Sequence, residues 1–318
     1  MENIEENKIL HYLDRIQKDR SPITADIFLN NYCNNKCPFC TYGRWELEKG
    51  ARAMKYEDFK KYAVRLIRLG VQGFILTGGG EPTIAPDFLQ ICHWLENNNV
   101  HYGVNTNFNV YREISPDYLK ISLDAWDEES YKKFRGVTAY NKVKENIKKY
   151  LEWKKAHNIQ TNVGLQKIGG SADEIAKFYE ANRDLDVDYI VFRPMESTCG
   201  SYYQTAGKKS EAQDAMKFIS ILVEQDKRVQ LNFKWHLLNQ RENKCTAQWA
   251  QIAINELGQV MYCCHKPYEI IGHVMDADIL QKKEQAKTNM ALCDVPCRMT
   301  SPNMTVAQIE RIKTANFI

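Results

Sequence analysis

The sequence predicts an α/β fold: a partial (β/α)6 barrel followed by a small C-terminal β-hairpin and helix domain. Three observations carry that reading. Short apolar runs alternate with amphipathic stretches from residue 24 to about residue 200, the pattern of a parallel sheet built from right-handed βαβ units. No GxGxxG follows the first apolar run, so a barrel suits the pattern better than a dinucleotide-binding fold. Beyond residue 228 the alternation gives way to a hairpin pattern among clustered cysteines.

Residues 1–23 read as an N-terminal helix, and 24–228 as the core. ADIFLNN (25–31) is its first strand. KYEDFKKYAVRLIRLG (55–70) has helical spacing and stops at Gly70. GFILTG (73–78) is a short apolar strand and PDFLQICHWLENNN (86–99) an amphipathic helix. HYGVNT (101–106) and YLKISLD (118–124) are strands three and four. A helix over 140–156, a strand over 160–167, a helix near 172–183 and the strand YIVFRP (189–194) complete the core. The C-terminal domain, 229–318, opens on the strand VQLNFKW (229–235). AQIAINELGQVMYCC (250–264) alternates as a hairpin around Glu256, Leu257 and Gly258, and MTVAQIERIKTANF (304–317) is a short helix.

Composition narrows the function. The chain has 318 residues, 44% hydrophobic and 26% charged, enough for a sizeable core and too apolar for disorder. No apolar run approaches the roughly 18 residues of a membrane span. The acidic start MENIEENKIL is unlike a secretory signal, so a cytoplasmic protein without a membrane partner is expected. Forty-three basic against 40 acidic residues give +3, which points to no nucleic-acid partner. The ten cysteines stand out. In a reducing compartment they read as metal ligands or catalytic groups rather than disulfides.

Cys33, Cys37 and Cys40 lie together in YCNNKCPFC, directly after the first strand. The C-terminal ends of strands are where α/β barrels place their chemistry. Structural zinc takes four closed ligands, whereas three thiolates on an iron–sulfur cluster leave one iron open. Zinc, or three reactive thiols, stays as the alternative. After the second strand comes TGGGEPT (77–83), where glycines let backbone approach a ligand closely.

The CxxxCx(aromatic)C motif, with Phe39 before its last cysteine, resembles the signature of the radical S-adenosylmethionine (SAM) superfamily. The resemblance covers about residues 24–200. It implies a [4Fe–4S] cluster on Cys33, Cys37 and Cys40 whose open iron chelates SAM. Reductive cleavage would then give methionine and a 5′-deoxyadenosyl radical that abstracts a substrate hydrogen. Gly79, Gly80 and Glu81 resemble the family's GGE motif, which binds the methionyl ammonium. Asn105 and Asn107 end the third strand, and Ser122 and Asp124 the fourth, with Arg135 after them in FRG. The resemblance implies ribose and carboxylate contacts there. Gln166 and Arg193 are further candidates. A flavodoxin- or ferredoxin-type protein is implied as electron donor.

Cys245, Cys263, Cys293 and Cys297 supply four thiolates around the Gly258 hairpin. They resemble the twitch domain, the shortened relative of the SPASM domain, which implies a second, auxiliary [4Fe–4S] cluster. Cys264 is the alternative to Cys263, since neighbours on a strand point to opposite faces. A zinc ribbon on the same thiolates remains open. Cys92 reads as core, and Cys199, after the sixth strand, as a hydrogen-atom donor or an ordinary loop cysteine.

The expected function is hydrogen abstraction from a small molecule (sugar, aminoglycoside-like or nucleotide), giving oxidation or epimerisation. Only about 24 residues precede the first strand, which favours a small molecule over a leader-guided peptide. A short peptide, epimerised or cross-linked, is the second expectation. A non-catalytic zinc or iron–sulfur structural protein is the third.

Overall fold

The computed structural model describes residues 8–40, 42, 50–194, 209–237, 244–288, 293 and 297–311. Cys199 lies outside them. The chain begins with a 3-10 turn, Lys8–Tyr12, and α1, Leu13–Gln17. Strands β1 (Thr24–Phe28), β2 (Gly73–Thr77), β3 (His101–Thr106), β4 (Tyr118–Ser122), β5 (Asn162–Ile168) and β6 (Tyr189–Arg193) follow the expected order. The helices between them are α2 (Tyr56–Arg68), α3 (Phe88–Asn97), α4 (Glu128–Arg135), α5 (Tyr140–Ala156) and α6 (Ala172–Asn182). Each helix buries one apolar stripe against the sheet, as Phe59, Ala63 and Leu66 do from α2.

All six strands pair in parallel in chain order, confirming the α/β barrel-type sheet. Helix α7 (Lys209–Gln225) leads to β7 (Val229–Leu231), which pairs parallel with β6. The strand expected over 229–235 therefore ends early. Asn232 Oδ1 accepts from the Lys234 amide at 3.1 Å, an Asx turn that diverts the chain into a 3-10 turn, Phe233–Leu237.

The hairpin forms as expected, from β8 (Gln251–Ile254) and β9 (Gln259–Met261), with β10 (Ile270–His273) antiparallel beside it. Strand β8 also pairs parallel with β1, from Thr24↔Gln251 to Ile27↔Ile254, so one ten-stranded sheet runs through both segments. Helices α8 (Ile279–Gln285) and α9 (Thr300–Arg311) complete the described chain. Val306 of α9 packs with Ile9, Ile16 and Trp249, tying the two ends of the described chain together.

Helix α4 carries signals the sequence reading passed over. Asp127 accepts from the Ser130 amide at 2.7 Å and Ser130 Oγ from the Asp127 amide at 3.0 Å, a capping box. Gly136 ends the helix in the left-handed region at φ 74°.

The strands leave an interior cavity of about 1140 Å³. Tyr118 and Tyr189 project into it across the faces of Gly103 and Gly164. A Cβ at Gly103 would sit inside the Tyr118 ring. Gly103→Ala is expected to destabilise the protein by about 1–3 kcal/mol through overpacking. The midpoint of urea unfolding, compared with wild type, checks this.

Candidate active site

The thiolate loop leaves β1 at Asn30 and docks on the turn that leaves β2. The Asn30 side-chain amide donates to the Glu81 carbonyl at 2.9 Å, and the Glu81 amide to the Tyr32 carbonyl at 2.9 Å. A Cβ at Gly80 would overlap the Tyr32 carbonyl and the Asn30 side chain, so this docking demands glycine. Glu81 is buried and its carboxylate points inward. One oxygen accepts from the Thr83 amide (3.2 Å), the Thr83 hydroxyl (2.6 Å) and the Thr106 hydroxyl; the other accepts from the Asn107 amide (2.7 Å). Burial pushes the Glu81 carboxyl up, and these donors oppose that.

The sulfurs receive donors from several elements. Cys33 Sγ accepts from the Asn35 amide at 3.3 Å and the Asn107 side-chain amide at 3.7 Å. Arg135 Nη1 points at Cys37 Sγ at 3.6 Å, and its guanidinium lies 5.6 Å from the centre of the Phe39 ring. Burial raises the Cys37 thiol, while the Arg135 charge pulls it back. The Lys36 amide donates to the Arg135 carbonyl at 2.9 Å, so the end of α4 grips the loop. Behind it, Asn35, Asn109 and Tyr131 form a buried network with bonds of 2.6 and 2.9 Å.

Cys37, Phe39, Cys40, Asn105 and Arg135 line the cavity. Asn105 also donates to the Thr77 hydroxyl at 3.3 Å. Asn107 ties Glu81 to the cysteine loop, its amide donating to the Glu81 carboxylate at 2.7 Å and its side chain to Asn34 Oδ1 at 2.7 Å. Ser122 sits on β4 opposite Gln166 of β5. Asp124 pairs with Arg135 and accepts from the Ile168 amide at 2.6 Å. Gln166 accepts from Arg193 Nη1 at 3.0 Å. The sequence reading missed the interior charges Asp26, Lys120, Lys234 and Arg298, all cavity-lining.

In the C-terminal segment the Asn303 side chain donates to Cys245 Sγ at 3.6 Å, and the Met299 amide to Cys297 Sγ at 3.4 Å. Burial pushes the Cys263 thiol up to about 12, and nearby Cys297 and Cys245 push the same way. Tyr262 lies in the field of Cys245, Cys263 and Cys293. Cys264 instead packs with Phe28, Ala253 and Met261 and receives Arg298. The Tyr42 hydroxyl, just past the first cysteine loop, donates to the Cys264 carbonyl and so joins the two cysteine regions. Among the described residues, no three His, Cys, Asp or Glu side chains are gathered tightly enough to hold a single metal ion. No helix among them is long and apolar enough to cross a membrane.

Residues 27–163 match the family model of the Radical SAM superfamily. The probable GTP 3′,8-cyclase of Pyrococcus horikoshii is 32% identical over 162 residues, 48% of this chain and 50% of that protein. That of Pyrococcus abyssi is 32% identical over 136 residues, 40% of this chain and 44% of that protein. The chain thus spans about half the length of the curated relatives it matches. Streptococcus suis SuiB bound to S-adenosylmethionine shares the fold with TM-score 0.59 at 16% identity, over 81% of this chain and 62% of that one. The structure of anSMEcpe with bound AdoMet does so with TM-score 0.61 at 18% identity, over 86% and 83%. Residues 27–163, which hold the thiolate loop and the glycine turn docked on it, are therefore a Radical SAM domain, and that family implies SAM and a [4Fe–4S] cluster.

Proposed function

We propose that the protein is an enzyme that reductively cleaves SAM and uses the resulting radical to take a hydrogen atom from a small molecule held in the barrel. The observation that carries this is the position of Cys37, Phe39 and Cys40 on the wall of an internal cavity of about 1140 Å³, ample for a small substrate. The two Pyrococcus relatives, by name, act on a nucleotide, which supports a substrate of that size.

The residues present fit the cofactor. Three thiols on one loop, with N–H donors at the Cys33 and Cys37 sulfurs, suit thiolates on a cluster. A [4Fe–4S] cluster held by Cys33, Cys37 and Cys40 would supply the electron that splits SAM into methionine and a 5′-deoxyadenosyl radical. The chain's own part is placement. Asn107 and Arg135 steady the sulfurs, Phe39 lies beside the guanidinium, and the parallel strands wall the cavity that would take the substrate. The substrate radical would then lose a proton and pass its electron to an auxiliary cluster, an oxidation, or take a hydrogen atom on its other face from a thiol, for which Cys199 is the candidate, an epimerisation. Cys245, Cys263, Cys293 and Cys297 are proposed to hold an auxiliary cluster, with Cys263 favoured over Cys264 because Cys264 packs among Phe28, Ala253 and Met261 and is bonded to Arg298, whereas Cys263 lies in the field of Cys245.

The test is anaerobic reconstitution with iron and sulfide, followed by dithionite and SAM. About eight irons per chain and formation of 5′-deoxyadenosine are expected. A Cys33/Cys37/Cys40→Ala variant should keep about four irons and form no 5′-deoxyadenosine. Reconstituted wild type that neither binds nor cleaves SAM would overturn the proposal.

A further inference from the structure

We propose that Lys120, with Arg193 beside it, forms a subsite inside the barrel for an oxyanion of the substrate, a phosphate or a carboxylate. The inference rests on the reading of the cavity as a substrate site and names the chemistry that site takes.

Lys120 is in the middle of β4, between Asn105 of β3 and Gly164 of β5 in the strand register. Its side chain faces the cavity together with Asp26, Arg193, Lys234 and Arg298. The one acidic side chain among these five, Asp26, is engaged through Oδ2. It pairs with Arg298 and accepts from the Gln251 side chain at 2.7 Å. Arg193 gives Nη1 to Gln166. Among the described residues no hydrogen bond or ion pair engages the Lys120 ammonium. A cation held among other cations is expensive to keep charged: burial together with Arg193 and Arg298 pulls the Lys120 amine down to about 7, and Asp26 only partly opposes them. A bound oxyanion removes that penalty and receives charge-assisted hydrogen bonds from several sides.

Depth in the barrel separates Lys120 from the cysteine loop. Lys120 lies two residues before the end of β4, so about 7 Å below the strand ends that carry the cysteine loop. SAM also brings its own sulfonium and ammonium with its single carboxylate, so it adds no net negative charge.

The experiment titrates inorganic phosphate and, separately, glutarate into the reconstituted full chain at fixed ionic strength, read by calorimetry and by the melting temperature. One of the two is expected to bind and raise the melting temperature; which one responds tells phosphate from carboxylate. Lys120→Met should weaken that anion by about tenfold or more, leave SAM affinity within about twofold, and melt no lower than wild type without anion. Lys120→Arg should retain binding. The proposal is overturned if neither anion binds, if Lys120→Met binds as wild type, if SAM affinity falls in step with the anion, or if anion-free Lys120→Met melts well below wild type. Absence of SAM cleavage with anion binding intact would instead sink the radical function and leave the oxyanion subsite standing.

Discussion

Glu81→Gln is expected to destabilise the protein by about 2–4 kcal/mol, because a buried donor left without an acceptor costs about 1–3 kcal/mol. The carboxylate accepts four hydrogen bonds, from two Thr83 groups, the Thr106 hydroxyl and the Asn107 amide. Glutamine offers one carbonyl oxygen and an NH2 group that only donates. Placing that NH2 toward Asn107 sets donor against donor; turning it round orphans Thr83 and Thr106. The damage spreads to the cysteine loop, since the Glu81 backbone is bonded to Asn30 and Tyr32. Urea unfolding of the reduced, metal-free protein reads the loss directly. A Glu81→Gln protein with wild-type stability and weakened SAM binding would instead make the carboxylate a direct SAM ligand. The structure gives the side chain a bracing role, and the backbone of the turn is left to approach a ligand.

This glutamate shows how far sequence carried the site. The GGE turn and the cysteine spacing mark which loops matter, because those patterns are local and demand particular residue types. The direction of a side chain is not local. Glu81 turns inward because β3 ends beside β2 and presents Thr106 and Asn107 to it. The six parallel strands were legible from their apolar runs, but β1, β5 and β6 are buried almost throughout and lack the alternation that tells inside from outside. Asp26 in ADIFLNN and Lys120 in YLKISLD were the available signal: charges set in otherwise apolar strands, each facing the cavity. The pairing of β8 with β1 joins residues far apart in the chain and leaves no periodic trace. Helix α4 was readable from its cap, Asp127 and Ser130, and from Gly136 at its end.

Arg135→Met should cost about 3–5 kcal/mol, the usual penalty for stranding one member of a buried ion pair. The Arg135 and Asp124 side chains are 7% and 1% exposed, so little water reaches the carboxylate left behind. Asp124 has little freedom to move away. It holds a left-handed backbone, φ 58°, and its other oxygen caps the Ile168 amide at 2.6 Å. The double variant Arg135→Met with Asp124→Asn removes the stranded charge and is expected to recover part of the loss, measured as coupling in a double-mutant cycle of urea unfolding. Full additivity would mean that the pair does not act as a unit. Arg135→Lys keeps the charge but has no planar fork with which to reach Asp124 and Cys37 at once while lying beside Phe39. It should therefore restore stability better than it restores iron retention. That split follows from Arg135 doing two things from one place: it neutralises a buried acid and it steadies the cysteine that faces the cavity.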